Sequence, residues 1–346
     1  MAITYRPLDA SKREFRLLEI QPAGSISDPV YCRIVTARLT EKEKPDYIAL
    51  SSLYSDDTPD TDRIIVNGRS VTIPNHISQA LRHVRAVFFP TVSLHFQRKP
   101  KRRPHKAPRW LRELFGLESS PSASSASSTR GEGYGPGATT LLLWIDLLCV
   151  NHMDDVEKSQ QVVGMRKIYR HAELVVGWLG VKTEHTDAGM EVLGFIDETM
   201  PPYWGDPGDR EKNPEDYAPI HQWAEPLKDV WTAGVHWIGG ADFFMRPYLQ
   251  RRWILEELST ARYPVFLIGD IIVPWKQLLR LTTLMEEFKY HPSKYFPPEM
   301  VPSLIEFPLE TSQKFLEEFA RREAREDSKI IQKKTYGKST STLSSA

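Results

Sequence analysis

At 346 residues, 40% of them hydrophobic, the chain is long enough to bury one large core or two modest ones. Its 45 basic and 45 acidic residues cancel, so no whole-molecule field draws in nucleic acid or anionic lipid, and any such partner would need a local patch. The opening MAITYRPLDASKREF has no apolar core of the signal-peptide kind, and the apolar run at 141–150 is too short to cross a bilayer, so a cytoplasmic protein with no membrane segment is expected. Cys32 and Cys149 are the only cysteines and read as buried reduced thiols; no metal ligand set is expected.

In chain order, YIALSSL at 47–53 reads as a short buried strand ending in the hydroxyls of Ser51 and Ser52. RIIVNGRSVTI then sets Asn67 and Gly68 between two β-branched arms, the signal of a two-residue hairpin. A helix follows, with Asn75 as cap and Ile77, Leu81, Val84 and Phe88 on its inner face. Residues 98–109 are basic and proline-broken, and residues 118–137 are rich in Ser, Gly and Pro. Residues 98–137 are therefore expected to form a disordered insertion that carries one small helix.

LLLWIDL at 141–147 reads as a strand and residues 154–171 as a helix opened by Asp154 and Glu157, with Val156, Val163, Ile168 and Tyr169 facing inward. ELVVGWLG is a second strand closed by Gly180. Thr186 starts a helix that carries Met190, Leu193 and Ile196. A helical, Trp-rich stretch from 220 to 262 leads to the strand YPVFLIG. Helical character continues after about 275, and residues 326–346 read as a disordered tail.

Four short apolar strands alternating with helices predict an α/β fold with a mainly parallel sheet flanked by helices, a β-hairpin near the N-terminus and additional C-terminal helices. Ligands in such sheets sit beyond the carboxyl ends of the strands, which is where Asp146, Ser51 and Ser52 fall. The carboxylate of Asp146, set in an otherwise apolar run, is expected to end its strand by accepting N–H groups of the next turn, and Asn151 to form a turn. His76, His83, His152 and His171 share no metal-ligand spacing. There is no GxGxxG after a strand, no GxxxxGK[ST] and no GxSxG, which argues against an ordinary dehydrogenase, kinase or esterase.

Three blocks, YIALSSLYSDD at 47–57, LWIDLLCVNHMDDVEKSQQVVGMRKIYRHAELVVGWLG at 143–180 and RPYLQRRWILEELSTAR at 246–262, resemble in order and character the hallmark segments of the fungal heterokaryon incompatibility (HET) domain. The resemblance covers roughly residues 5–270. It implies a lead-in at 1–46, the domain proper at 47–270 and a helical extension at 271–325. Asp56, Asp146, Asn151, Gln161, Trp253 and Glu257 match the pattern. Ser52, Leu53, Tyr54 and Ser55 stand where the family reads Tyr, any residue, Trp and Gly, while His152 and Glu256 stand where it prefers Gln.

The HET domain in turn resembles the flavodoxin-like TIR domain. By that comparison Glu257, four residues after Trp253, corresponds to a carboxylate that cleaves NAD, with Ser51, Ser52, Asp56, Asp146, Asn151 and Trp253 as candidate ligand contacts. The family resemblance implies nonself recognition and regulated cell death, through self-association or through other HET or NLR-type proteins. The degraded first block favours a non-catalytic module, with an NAD glycohydrolase as the alternative and NAD as the only small molecule implied. The basic run at 98–109 has no interleaved aromatics, which argues against nucleic acid and leaves a nuclear address open.

Overall fold

The computed structural model describes residues 3–40, 45–53, 59–89, 141–201, 218–227, 234–251 and 254–306, with isolated positions at 215 and between 308 and 321. Asp56, Trp253, the insertion at 98–137 and the tail at 326–346 lie outside the described residues.

Among the described residues, nine strands form one sheet: β1 (Glu14–Ile20), β2 (Tyr31–Arg38), β3 (Ile48–Ser51), β4 (Thr61–Val66), β5 (Arg69–Pro74), β6 (Leu141–Trp144), β7 (Leu174–Gly180), β8 (Pro264–Ile268) and β9 (Ile271–Pro274). Their order is β5-β4-β2-β1-β6-β3-β7-β8-β9. The four strands expected from apolar runs, β6, β3, β7 and β8, lie side by side and parallel. They are almost wholly buried, which is why they read as unbroken apolar runs.

The sheet as a whole is mixed, which corrects the expectation of a mainly parallel one. Strand β1 runs antiparallel to both β2 and β6, and β4–β5 and β8–β9 are hairpin pairs. Short connections permit only antiparallel neighbours, whereas a parallel pair needs a crossover. Strands β1 and β2 were not anticipated, because β1 carries Arg16 and Glu19 among its apolar residues and so lacks a clean pattern. The hairpin at Asn67 and Gly68 is present, with φ of 50° and 76°, and the Asn67 side chain also accepts from the Ile34 N–H at 3.0 Å.

Helices cover both faces of the parallel strands. On one side α1 (Asn75–Phe88) packs with His83 against Trp178, ring centroids 5.2 Å apart. Ile77, Leu81, Val84 and Phe88 are buried as expected. Asn75 is not the cap: it is the first helical residue, its side chain bonds Asp60 at 2.7 Å, and Pro74 occupies the cap position without a side-chain bond.

Beyond β6, α2 (Asp146–Cys149) is a single helical turn, followed by α3 (Asp155–His171). Trp144 meets Tyr169 of α3 edge-on at 5.1 Å, and Tyr47 donates to the Ile168 carbonyl at 2.5 Å. Side chains alternate along a strand, so Val175 and Gly177 share the face of α3 while Val176 and Trp178 face α1. Trp144 and Trp178 are both buried, as the strand reading requires.

Asp154 caps α3 through the N–H groups of Val156 and Glu157. Its inner stripe is not the expected one. Val156 and Val163 are 68% and 81% exposed, whereas Glu157, Ile168 and Tyr169 are buried. The stripe starts at a glutamate because Glu157 pairs with Arg16 of β1, and apolar periodicity cannot reveal a polar inner position.

Further on lie α4 (Thr186–Thr199), α5 (Ala218–Ala224), α6 (Val235–Met245), α7 (Ile254–Ser259), α8 (Trp275–Tyr290), α9 (Pro292–Tyr295) and α10 (Val301–Ile305). Met190, Leu193 and Ile196 of α4 are buried as expected, and the additional C-terminal helices are present. Among the described residues no helix is long and apolar enough to cross a membrane. Cys32 and Cys149 are buried free thiols whose pKa burial pushes up to about 12, so they stay protonated.

Candidate functional site

Counted along the chain, the four parallel strands run second, first, third, fourth across the sheet. The connections therefore part between β3 and β7, and a crevice is expected beyond the carboxyl ends of those two strands. Ser51, the last residue of β3, stands there opposite Gly177 of β7 and is 1% exposed.

Glu257 of α7 arrives at the same point. Ser51 Oγ donates to Glu257 Oε2, and Tyr248 donates to Ser51 Oγ at 2.7 Å. A third hydroxyl, that of Tyr169, donates to the Glu257 carboxylate from α3. Three hydroxyls thus relay toward one acceptor: Tyr248 to Ser51 to Glu257, with Tyr169 from the other side.

The segment carrying Tyr248 is anchored by Arg246. Its guanidinium bonds the carbonyls of Leu179 and Val181 at 2.9 and 3.0 Å, Thr186 Oγ1 at 3.2 Å and Asp242 at 2.7 Å. Tyr248 is thereby laid directly over β7. It fits because residue 177 has no side chain: a Cβ there would lie 2.8 Å from the Tyr248 hydroxyl and 3.0 Å from the Phe266 ring. Gly177→Ala is therefore expected to cost about 1–3 kcal/mol by overpacking and to displace Tyr248 from Ser51. Urea unfolding measures it, and a loss below about 0.5 kcal/mol would show that the tyrosine yields freely.

Burial dominates the electrostatics. It raises the Glu257 pKa to about 7, against the lowering pull of the Ser51 and Tyr169 hydrogen bonds and of Arg251, with the charge of Asp146 adding to the rise. Asp146 is itself raised by burial. Its Oδ1 accepts the Leu147 N–H at 2.7 Å, but it lies two residues past the end of β6 and opens the helical turn α2 instead of ending the strand itself. Burial, reinforced by the nearby Glu257 charge, holds the hydroxyls of Tyr169 and Tyr248 far above their ordinary pKa, so both remain donors. Glu257 near neutral pH is a proton-exchanging group beside a second carboxylate, an arrangement found at working sites more often than elsewhere.

Of the candidate residues, Ser51, Asp146 and Glu257 are brought together. Ser52 turns away: its hydroxyl bonds the Leu53 carbonyl at 3.3 Å, while its own carbonyl accepts from Arg251 at 3.3 Å. Asn151 serves its own turn, accepting the Met153 N–H at 3.2 Å. The histidines stay apart: His152 lies against the Asp146 carbonyl, His171 against that of Lys167, His76 against that of Leu53, and His83 on Trp178.

Sequence reasoning did not place Tyr248, Tyr169 or Gly177 in the site. The one available signal was a glycine inside the apolar run LVVGWLG, which marks a close approach without naming what approaches.

Comparison with known proteins bears on this same region. The family described as Heterokaryon incompatibility protein (HET) matches residues 135–257, a stretch that includes Asp146, Tyr169, Gly177 and Tyr248 and ends on Glu257. The chain is also 25% identical over 292 residues to "Heterokaryon incompatibility protein 6, OR allele" of Neurospora crassa, an alignment covering 78% of this chain and 35% of that protein. This chain thus spans about a third of that relative's length. No solved structure matches. Residues 135–257 thus match the HET family, and the chain is similar over most of its length to a fungal heterokaryon incompatibility protein.

Proposed function

We propose that the chain acts in fungal heterokaryon incompatibility as a cytoplasmic module that turns nonself recognition into regulated cell death. Its contacts would be with a further copy of itself or with other HET or NLR-type proteins, and a nucleotide-class ligand would be taken at the crevice beyond β3 and β7. The observation that carries the ligand reading is the convergence of Ser51, Asp146 and Glu257, from three separate stretches of sequence, at the point where the parallel connections part. A carboxylate there suits the paired hydroxyls of a ribose, which donate to it as the Ser51 and Tyr169 hydroxyls do.

A second reading, cleavage of the nicotinamide N-glycosidic bond of NAD in a TIR-like manner, is favoured by the same carboxylate. An oxocarbenium-like centre would develop beside Glu257, whose ionised form stabilises positive charge, and a pyridinium leaving group needs no proton. Because Glu257 ionises around pH 7, cleavage would rise between about pH 6 and 8.

One experiment separates the readings. The full chain is incubated with NAD at high protein concentration, and both thermal stabilisation and released nicotinamide are measured. Stabilisation without nicotinamide, lost in Glu257→Gln, supports the binding module. Nicotinamide release lost in Glu257→Gln supports the enzyme. Neither signal would remove a nucleotide of this class from the site.

A further inference from the structure

We propose that His221, Glu287 and His291 form a divalent-cation site, suited to zinc, that fastens α5 to the C-terminal helix α8. The three residues come from two separate stretches: His221 from α5, Glu287 from the last turn of α8, and His291 from the residue that caps it. Glu287 and His291 are four positions apart and so rise on the same side of the helix. One ligand atom from each of the three lies within 4.8 Å of the others, and His221 Nδ1 is 3.5 Å from Glu287 Oε1.

Two physical points favour a shared metal over a simple ion pair. Glu287 is fully buried, next in the chain to Phe288, whose ring meets those of Tyr295 and Phe296, and an ionised carboxylate so removed from water is costly without a cation at close range. One protonated imidazole would supply that charge. A second imidazole converging on the same few ångströms adds nothing to an ion pair, whereas two imidazoles and one carboxylate are a familiar ligand set of zinc, with a fourth position left for water. The Tyr295 ring stacked on His221 would fix the plane of that imidazole, while the Tyr295 hydroxyl, 2.5 Å from His221 Nδ1, would have to give that nitrogen up to the ion.

The test uses the full chain, stripped of metal with a chelator and titrated with Zn2+ by calorimetry and with Co2+ by visible absorption. The expected result is one ion per chain, a Co2+ band of tetrahedral intensity, and a midpoint raised by about 5–10 °C when free Zn2+ is about 100 times Kd. His291→Ala, at the helix end, is expected to keep the circular dichroism and melting of the stripped protein while weakening Zn2+ by more than about 100-fold, since changes outside the ligand shell alone cost about 10–100-fold. His221→Gln should do the same, and His171→Ala should leave binding intact. Absence of saturable binding by the unmodified chain would overturn the site in favour of an imidazolium–carboxylate pair. Binding that survives both His291→Ala and His221→Gln would overturn it equally.

Discussion

Arg16→Met is expected to destabilise the protein by about 3–5 kcal/mol, because it leaves a buried carboxylate without its cation. Arg16 is 1% exposed in the middle of β1. Its guanidinium bonds Glu157 twice, at 2.5 and 2.8 Å, and also the carbonyls of Cys149 at 3.1 Å and Arg6 at 2.7 Å. The Tyr5 ring lies 4.7 Å from its centre, and Glu157 accepts the Asn151 N–H at 2.9 Å as well. One side chain therefore ties the amino-terminal segment, β1 and the entry to α3 together.

Burial alone would raise the Glu157 pKa, but the bonds from Arg16 and Asn151 outweigh it and hold the group below its ordinary value. A lowered carboxylate pKa contributes stability that is present above the unfolded value and lost as pH falls through the folded one. The Arg16→Met deficit should accordingly be larger at pH 7 than near pH 4, where the stranded Glu157 takes up a proton. Arg16→Met combined with Glu157→Leu should recover more than half of the loss, since apolar replacement of both partners of a buried pair is often neutral. Urea unfolding at the two pH values reads all of this. A single-variant loss under about 1 kcal/mol would mean that water replaces the guanidinium.

The second large effect lies at Glu257 and has the opposite sign. Its folded pKa of about 7 stands above the ordinary 4.5, so between those values the folded chain holds a proton that the unfolded chain has released. Stability from this group is fully present below about pH 4.5 and is lost as pH rises through about 7, a change on the order of 3 kcal/mol. Glu257→Gln keeps an acceptor for Ser51 and Tyr169 but cannot ionise. It should match the unmodified chain near pH 5 and exceed it by about 3 kcal/mol at pH 8. Histidines titrate in both proteins, so the difference between the two curves isolates Glu257. Parallel curves from pH 5 to 8 would show that the carboxylate is solvated and ionises freely.

These two carboxylates show how a group's surroundings, more than its type, decide its chemistry. Glu157 and Glu257 both bury an acidic side chain. The first meets a guanidinium head-on and stays ionised. The second meets hydroxyls and another carboxylate, and becomes a group that exchanges its proton near neutrality.

Local sequence determined the four parallel strands, the hairpin at Asn67 and Gly68 and the helices between them. Strands buried on both faces must be continuous apolar runs, and a turn that needs two positive φ values must recruit residues that tolerate them. That Asp146 stands beyond the carboxyl end of β6 was legible too, since a carboxylate in an apolar run has to leave the strand, although β6 stops already at Trp144 and Asp146 opens the next turn. Glu257 was legible only through the resemblance of RRWILEEL to a known pattern. The tertiary structure alone decided that β1 and β2 belong to the sheet, that α3 turns Glu157 inward rather than Val156 and Val163, and that Ser51 meets Glu257 and Tyr248 across 206 and 197 positions of chain. Pairing of a buried charge and convergence of distant hydroxyls are settled by contacts between segments far apart in the chain, and such contacts leave no period in the local sequence for a reader to find.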